Sequence, residues 1–193
     1  MGDTNKIKYG IKNVVFFPAT IAADNSATYG EAIPVPGAVS LSMDAQGDST
    51  PFWADNIAYY TSVANNGYEG DLEVAKIPDA VLTGIFGMVA DKNGVLYEPV
   101  NAPVVHFAMA FQFEGDVHAK RHVLYNCTAT RPAVAGSTKT ESIEPQTESI
   151  TITATSIYVA AIDAEVAKAS VTPSEATQYG SWLTTVYQPT TTT

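Results

Sequence analysis

The feature that most constrains this chain is a period of two. From Glu148 to Ile157, Ile150, Ile152 and Ala154 alternate with Thr151, Thr153 and Thr155 almost without a break. Successive side chains of a strand point to opposite faces, so this pattern demands a half-buried β-strand. The same signature recurs along the chain. Lys12–Phe17 (KNVVFF) opens the series, and Ala38–Met43 sets Val39, Leu41 and Met43 against Ser40 and Ser42. Asn56–Val63 and Tyr68–Ile77 flank Asn65-Asn66-Gly67, whose Asn-Gly step predicts a hairpin between them, because both turn residues must accept positive φ. On the second of these strands Glu69, Asp71 and Glu73 lie at alternate positions and share one face as a charged stripe. A second hairpin is predicted from Gly87–Ala90 to Val95–Tyr97 through Asp91-Lys92-Asn93-Gly94. A third joins Pro103–Phe113 to Val117–Thr130 through Glu114-Gly115-Asp116. Glu165–Val171 is compatible with either strand or helix.

Helices are a minor component. Pro78-Asp79 opens PDAVLTGIFG, which places Val81, Leu82, Ile85 and Phe86 on one face and Gly87 as a stop. Thr172-Pro173-Ser174-Glu175 reads as a capping box ahead of a short helix that turns Tyr179, Trp182 and Leu183 inward, with Gly180 weakening it. Three segments read as loops or arms: Asp44–Asp55, Arg131–Gln146 and the tail from Gln188. The first carries Phe52 and Trp53 between acids. Such aromatics either fold back as a plug over the core or anchor a protein–protein contact, and composition leaves both open.

Charge narrows the partners. The 193 residues hold 10 Lys plus Arg against 20 Asp plus Glu, a net charge of −10. A nucleic-acid binder needs a basic surface to replace counterions, and anionic lipid would repel this chain as well. No apolar run approaches the roughly 18 residues of a membrane span, and the N-terminus lacks the layout of a signal peptide. The single cysteine, Cys127, can form no internal bridge. These features suit a soluble intracellular protein of one domain, with a core large enough to need no staple.

The chemistry-bearing motifs point to no reaction. There is no phosphate loop, dinucleotide glycine pattern, nucleophile elbow or zincin helix. His118 and His122 would share a strand face and could form a metal pair with His106 or an acid; an exposed polar face explains them better, together with Lys120 and Arg121. Cys127 beside His106 or His122 could be a nucleophile, but a buried small apolar residue is the commoner fate of a free cysteine. We expect no enzyme, no catalytic residue, no metal and no cofactor.

Several ordered segments carry a resemblance. They are Pro51-Phe52-Trp53-Ala54-Asp55-Asn56, Tyr59-Tyr60, Asn65 to Val74, Ile77-Pro78-Asp79, Lys120 to Thr128 with Arg131-Pro132, and Ile143 to Glu148. Their order and spacing resemble the major tail protein of long, flexible, non-contractile bacteriophage tails, the phi13-type tail tube subunit, over about Lys8 to Pro189. The chain departs from that pattern over Pro173–Val186, where the family has a more regular acidic-then-aromatic helix.

The resemblance implies a mainly β fold, sandwich-like or barrel-like, with one flanking helix, a second short helix near the C-terminus and long extended loops. It implies a single tail-tube domain over residues 1–193, with an N-terminal arm (1–11), a long loop (44–55), an extended segment (131–146) and a C-terminal arm (184–193). It implies hexameric rings stacked into a tube through which DNA leaves without specific binding, in the virion tail after assembly in the host cytoplasm. Partners would be other copies and the tape measure, tail terminator and distal tail proteins, with no membrane. By this likeness Asp44, Asp48, Phe52, Trp53 and Asp55 reach the next ring. Glu69, Asp71 and Glu73 are the candidates for the lumen, where an acidic wall repels phosphates. The competing expectation is a carbohydrate-binding β-sandwich that stacks sugars on Trp53, Tyr59 and Tyr60.

Overall fold

The computed structural model describes residues 7, 9–47, 49–116, 118–138, 146–174 and 176–191. The fold is mainly β, with two short helices. In chain order the strands are β1 (Ile11–Ile21), β2 (Ala27–Tyr29), β3 (Ile33–Pro34), β4 (Ala38–Gln46), β5 (Ser49–Ala54), β6 (Ile57–Val63) and β7 (Gly67–Val74). After helix α1 (Asp79–Gly84) come β8 (Val89–Ala90), β9 (Leu96–Tyr97), β10 (His106–Phe113), β11 (Arg121–Ala129) and β12 (Glu148–Thr155). The chain ends with β13 (Ile157–Val159), β14 (Ala164–Val166), β15 (Lys168–Val171) and helix α2 (Ala176–Ser181).

A nine-stranded antiparallel sheet dominates, in the order β2-β1-β10-β11-β12-β7-β4, with β15 on β11 and β3 on β1. Its central strands β1, β10 and β11 are buried on both faces along their middles, which is why β1 and β10 read as continuous apolar runs. Val14 and Phe16 enter one cluster with Phe107, Met109, Leu72, Val74, Ile150 and Ile152. Val15 and Phe17 enter another with Ala108, Ala110, Val123, Tyr125 and Trp182. The first cluster joins residues of β1 to residues of β7, which lie far apart in the strand order. The sheet therefore curls to bring its ends together, but it does not close into a barrel. Phe16, Phe17 and Phe107 are fully buried, each worth about 1.5–3 kcal/mol in removed apolar surface.

Helix α1 seals the first cluster with Val81, Ile85 and Phe86, as its sequence face predicts, and Gly87 turns the chain out at φ +70. The second cluster is covered by β13, β15 and the C-terminal segment, where Trp182 is buried and stacks on Tyr187 at 5.6 Å. Tyr179 and Leu183 pack there too. Glu175, the far partner of the predicted capping box, lies outside the described residues.

The hairpin β8–β9 and the pair β10–β11 form where the sequence places them, and the ambiguous Glu165–Val171 is strand. The Asn65-Asn66-Gly67 hairpin does not form. β7 pairs with β4 and β12, whereas β6 pairs with β5. The turn between β5 and β6 is Asp55-Asn56, with φ of 51° and 63°. Asn65 instead holds the Gly67 N–H with its side-chain oxygen at 3.2 Å, an Asx turn at the root of a longer hairpin.

The segment 44–55 is thus not a loop: 44–46 end β4 and 49–54 form β5. Of the N-terminal arm, residues 9–11 lie along the β10–β11 turn, where Glu114 and Gly115 N–H groups donate to Gly10 and Tyr9. The C-terminal segment folds back on its own chain: Tyr125 OH donates to the Tyr187 carbonyl at 2.9 Å and Gln188 donates to the Ala27 carbonyl at 2.8 Å. Residues 131–138 run without regular structure and almost wholly exposed. Their root is fixed by an ion pair of Arg131 with Glu98 at 2.7 Å. Residues 1–6, 8, 139–145 and 192–193 of the three predicted arms lie outside the described residues.

Candidate functional site

Two surfaces stand out, and the β4–β7 pair builds both. Beyond Gln46 and before Gly67 the two strands continue into β5 and β6, which pair only with each other. This ribbon is an arm. Its register runs Ser49↔Val63, Thr50↔Ser62, Pro51↔Thr61 and Phe52↔Tyr60, then slips to Trp53↔Ala58 and Ala54↔Ile57, which leaves Tyr59 as the bulged residue.

The arm exposes what a lone ribbon should hide. Trp53 is 65% exposed, Ile57 59%, Tyr59 71% and Tyr60 63%. A two-stranded hairpin is marginal in water, and both its edges are open to further pairing. None of these four side chains belongs to either core cluster, so the plug over the core is excluded for Trp53. For Phe52 the backbone pairing is described and its side chain is not, and Asp48 lies outside the described residues. Asp55 sits in the tip turn. Trp53 follows the register slip on β5, and Tyr59 and Tyr60 stand at the slip on β6.

The second surface is the exposed face of β7. Glu69, Asp71 and Glu73 do share it, because Leu72 and Val74 between and beyond them turn into the core. Register then supplies the neighbours that sequence reasoning missed. Glu73 lies between Ser40 and Ser149, Asp71 between Ser42 and Thr151, and Glu69 between Asp44 and Thr153. The column of carboxylates is thus flanked by hydroxyls all along its β12 side and, on its β4 side, by Ser40 and Ser42, with Asp44 opposite Glu69. Thr151 donates to Asp71 at 2.7 Å and Ser40 to Glu73 at 2.9 Å; Thr147 also donates to Glu73. The Thr147 hydrogen bond, and then that of Ser40, hold the Glu73 carboxyl below its ordinary value. Asp44, expected to reach outward with the arm, stands directly opposite Glu69 and extends this acidic face. Like charges in that position repel. Between Lys12 and Lys76 the sequence has no Lys or Arg to offset them.

The other sequence candidates separate. His118 precedes β11 in a turn, with Ala119 at φ +46 between it and the strand, so it does not share a strand face with His122. His122 stacks on Phe111 at 5.2 Å, and His106 Nδ1 meets the Asn126 side-chain oxygen at 2.7 Å. Cys127 is fully buried, and burial pushes its thiol far above the ordinary range, away from the reactive thiolate. Among the described residues no group of three His, Cys, Asp or Glu is placed to hold a metal ion. No described helix is long and apolar enough to cross a membrane.

No protein-family model matches the chain, and no curated protein matches it. Among solved structures it is similar to a chain of the anti-feeding prophage cap, the tube-terminating cap of that particle, with TM-score 0.42 and 13% identity over 88% of this chain and 96% of that one. It is also similar to a chain of the anti-feeding prophage baseplate, with TM-score 0.41 and 9% identity over 88% of this chain and 97% of that one.

Proposed function

We propose that this protein is a structural, non-catalytic subunit of a phage tail tube, which assembles as stacked hexameric rings around an acidic bore that conducts DNA. The observation that carries the reading is the arm. Four large apolar side chains on a two-stranded ribbon with no core of its own need a second protein surface to leave water. A contact between an arm and a different patch on the next copy is heterologous; repeated, it gives open-ended stacks, and closed by rotation it gives rings.

The acidic face supports the same reading. A conduit for DNA must not retain it, and phosphates bind basic walls by counterion release. The β7 stripe presents carboxylates among hydroxyls with no basic partner among the neighbours set by its register. In the tube these acids line the lumen, and the virion tail is where the protein works. Its other contacts are the proteins that cap and fill such a tube.

Sedimentation velocity across a concentration series tests the assembly. The wild-type chain is expected to pass from monomer to large species as concentration rises. Trp53→Ala with Tyr60→Ala is expected to shift that transition at least tenfold upward, as the loss of buried aromatic anchors costs on the order of 2 kcal/mol or more. A wild-type chain that remains monomeric throughout, or a double variant that assembles like wild type, refutes the proposal.

A further inference from the structure

A cleft at the root of the arm has a size and lining that the fold itself does not use. It is about 190 Å³ in volume, smaller than the roughly 300–1,000 Å³ of small-molecule pockets. It accommodates one large side chain rather than a ligand. Leu41 and Met43 of β4 and Tyr68 of β7 form one wall, and Phe113 and His122 form the other. Met43 and Tyr68 are half-buried at the core margin, so an apolar guest would complete the packing there. Lys168, exposed at the rim, holds its ammonium 4.8 Å from the centre of the Tyr68 ring. Among the described residues no carboxylate pairs with it.

We propose that this cleft is the receptor for the arm of a second copy, with Trp53 inserted among Met43, Tyr68 and Phe113 and Asp55 at the tip paired with Lys168. The proposal rests on the self-assembly reading above and names its contact. Charge supports the choice of occupant. The arm and both strands that carry it contain no Lys or Arg, and its tip bears Asp55 two residues from Trp53. The cleft lining includes Lys168 and no acid. The occupant is another copy because Trp53 lies ten residues beyond Met43, up to about 33 Å away in extended chain. In its own subunit Trp53 is exposed. Tip-into-root contact joins two different patches and so propagates from copy to copy.

Charge reversal tests it. Asp55→Lys and Lys168→Glu are each expected to raise the concentration needed for assembly about tenfold, through like-charge contact at the interface. The two together are expected to return it to within about threefold of wild type. Met43→Trp, which fills the cleft from within, is expected to block assembly while the circular dichroism spectrum and melting profile remain those of a folded chain. If the wild type assembles and Lys168→Glu or Met43→Trp assembles equally well, the cleft is not the receptor, and the assembly reading survives. If both charge variants weaken assembly and the double variant is worse than either, the pairing is wrong. If the wild type never assembles, this proposal falls with the reading it extends.

Discussion

Gly70 shows how closely the backbone constrains this surface. A Cβ at Gly70 would lie 1.8 Å from the Ser42 carbonyl oxygen of the neighbouring strand, so any side chain there must push β4 off β7. Gly70→Val is expected to cost about 2–3 kcal/mol, roughly 4–12 °C in Tm for a chain of this size. Calorimetry checks it, and a change within 1 °C contradicts the account. Three residues along, Glu73 titrates below its ordinary value because Thr147 and Ser40 bond its ionised form. A depressed folded value stabilises the folded state above the unfolded pKa, and that contribution is lost as pH falls through the folded value. Carboxyl NMR should therefore find the Glu73 midpoint below that of an unperturbed glutamate. Thr147→Val should move the midpoint back up; an unmoved midpoint would mean that the hydrogen bond is not its cause. Asp44 opposite Glu69 is a repulsive pair. Asp44→Asn should stabilise the monomer by a few tenths of a kcal/mol in chemical denaturation, because it removes the like charge opposite Glu69.

Among the elements, those governed by local rules were legible. The alternation of β12, the Asp91–Gly94 turn and the apolar face of α1 all follow from residues close in sequence. The misread hairpin shows the limit. Asn-Gly reports a tolerance for positive φ, not which strands pair, and here β4 meets β7 across an intervening ribbon that no local pattern announces. The acidic stripe was legible because it needs only a period of two. Its hydroxyl flanks were not, because Ser40–Glu73 and Thr151–Asp71 are set by long-range register. The cleft at the arm root was invisible for the same reason: β4, β7, β10, β11 and β15 all meet there. None of the arm's described side chains belongs to either core cluster. Replacing residues 48–64 by an Asn-Gly turn should therefore leave Tm within a few degrees of wild type while abolishing assembly in light scattering. Global unfolding of that variant would place the arm in the fold rather than in the contact.

For the whole molecule, three properties fit one role: a curled sheet whose central strands are buried on both faces, a ribbon that exposes aromatic side chains, and a net charge of −10 with a stripe of acids on one strand face. In the proposed tube such a subunit would be held by its arm and would repel DNA along β7. Repulsion between acidic faces brought around a bore weakens with ionic strength, so assembly should begin at lower concentration in higher salt. Electron microscopy of the purified wild-type chain at high concentration tests the central claim most directly. Our account predicts hollow rings or tubes whose reconstructed inner wall carries Glu69, Asp71 and Glu73. Monomers at every concentration and salt, or an assembly in which these carboxylates face outward, would contradict it.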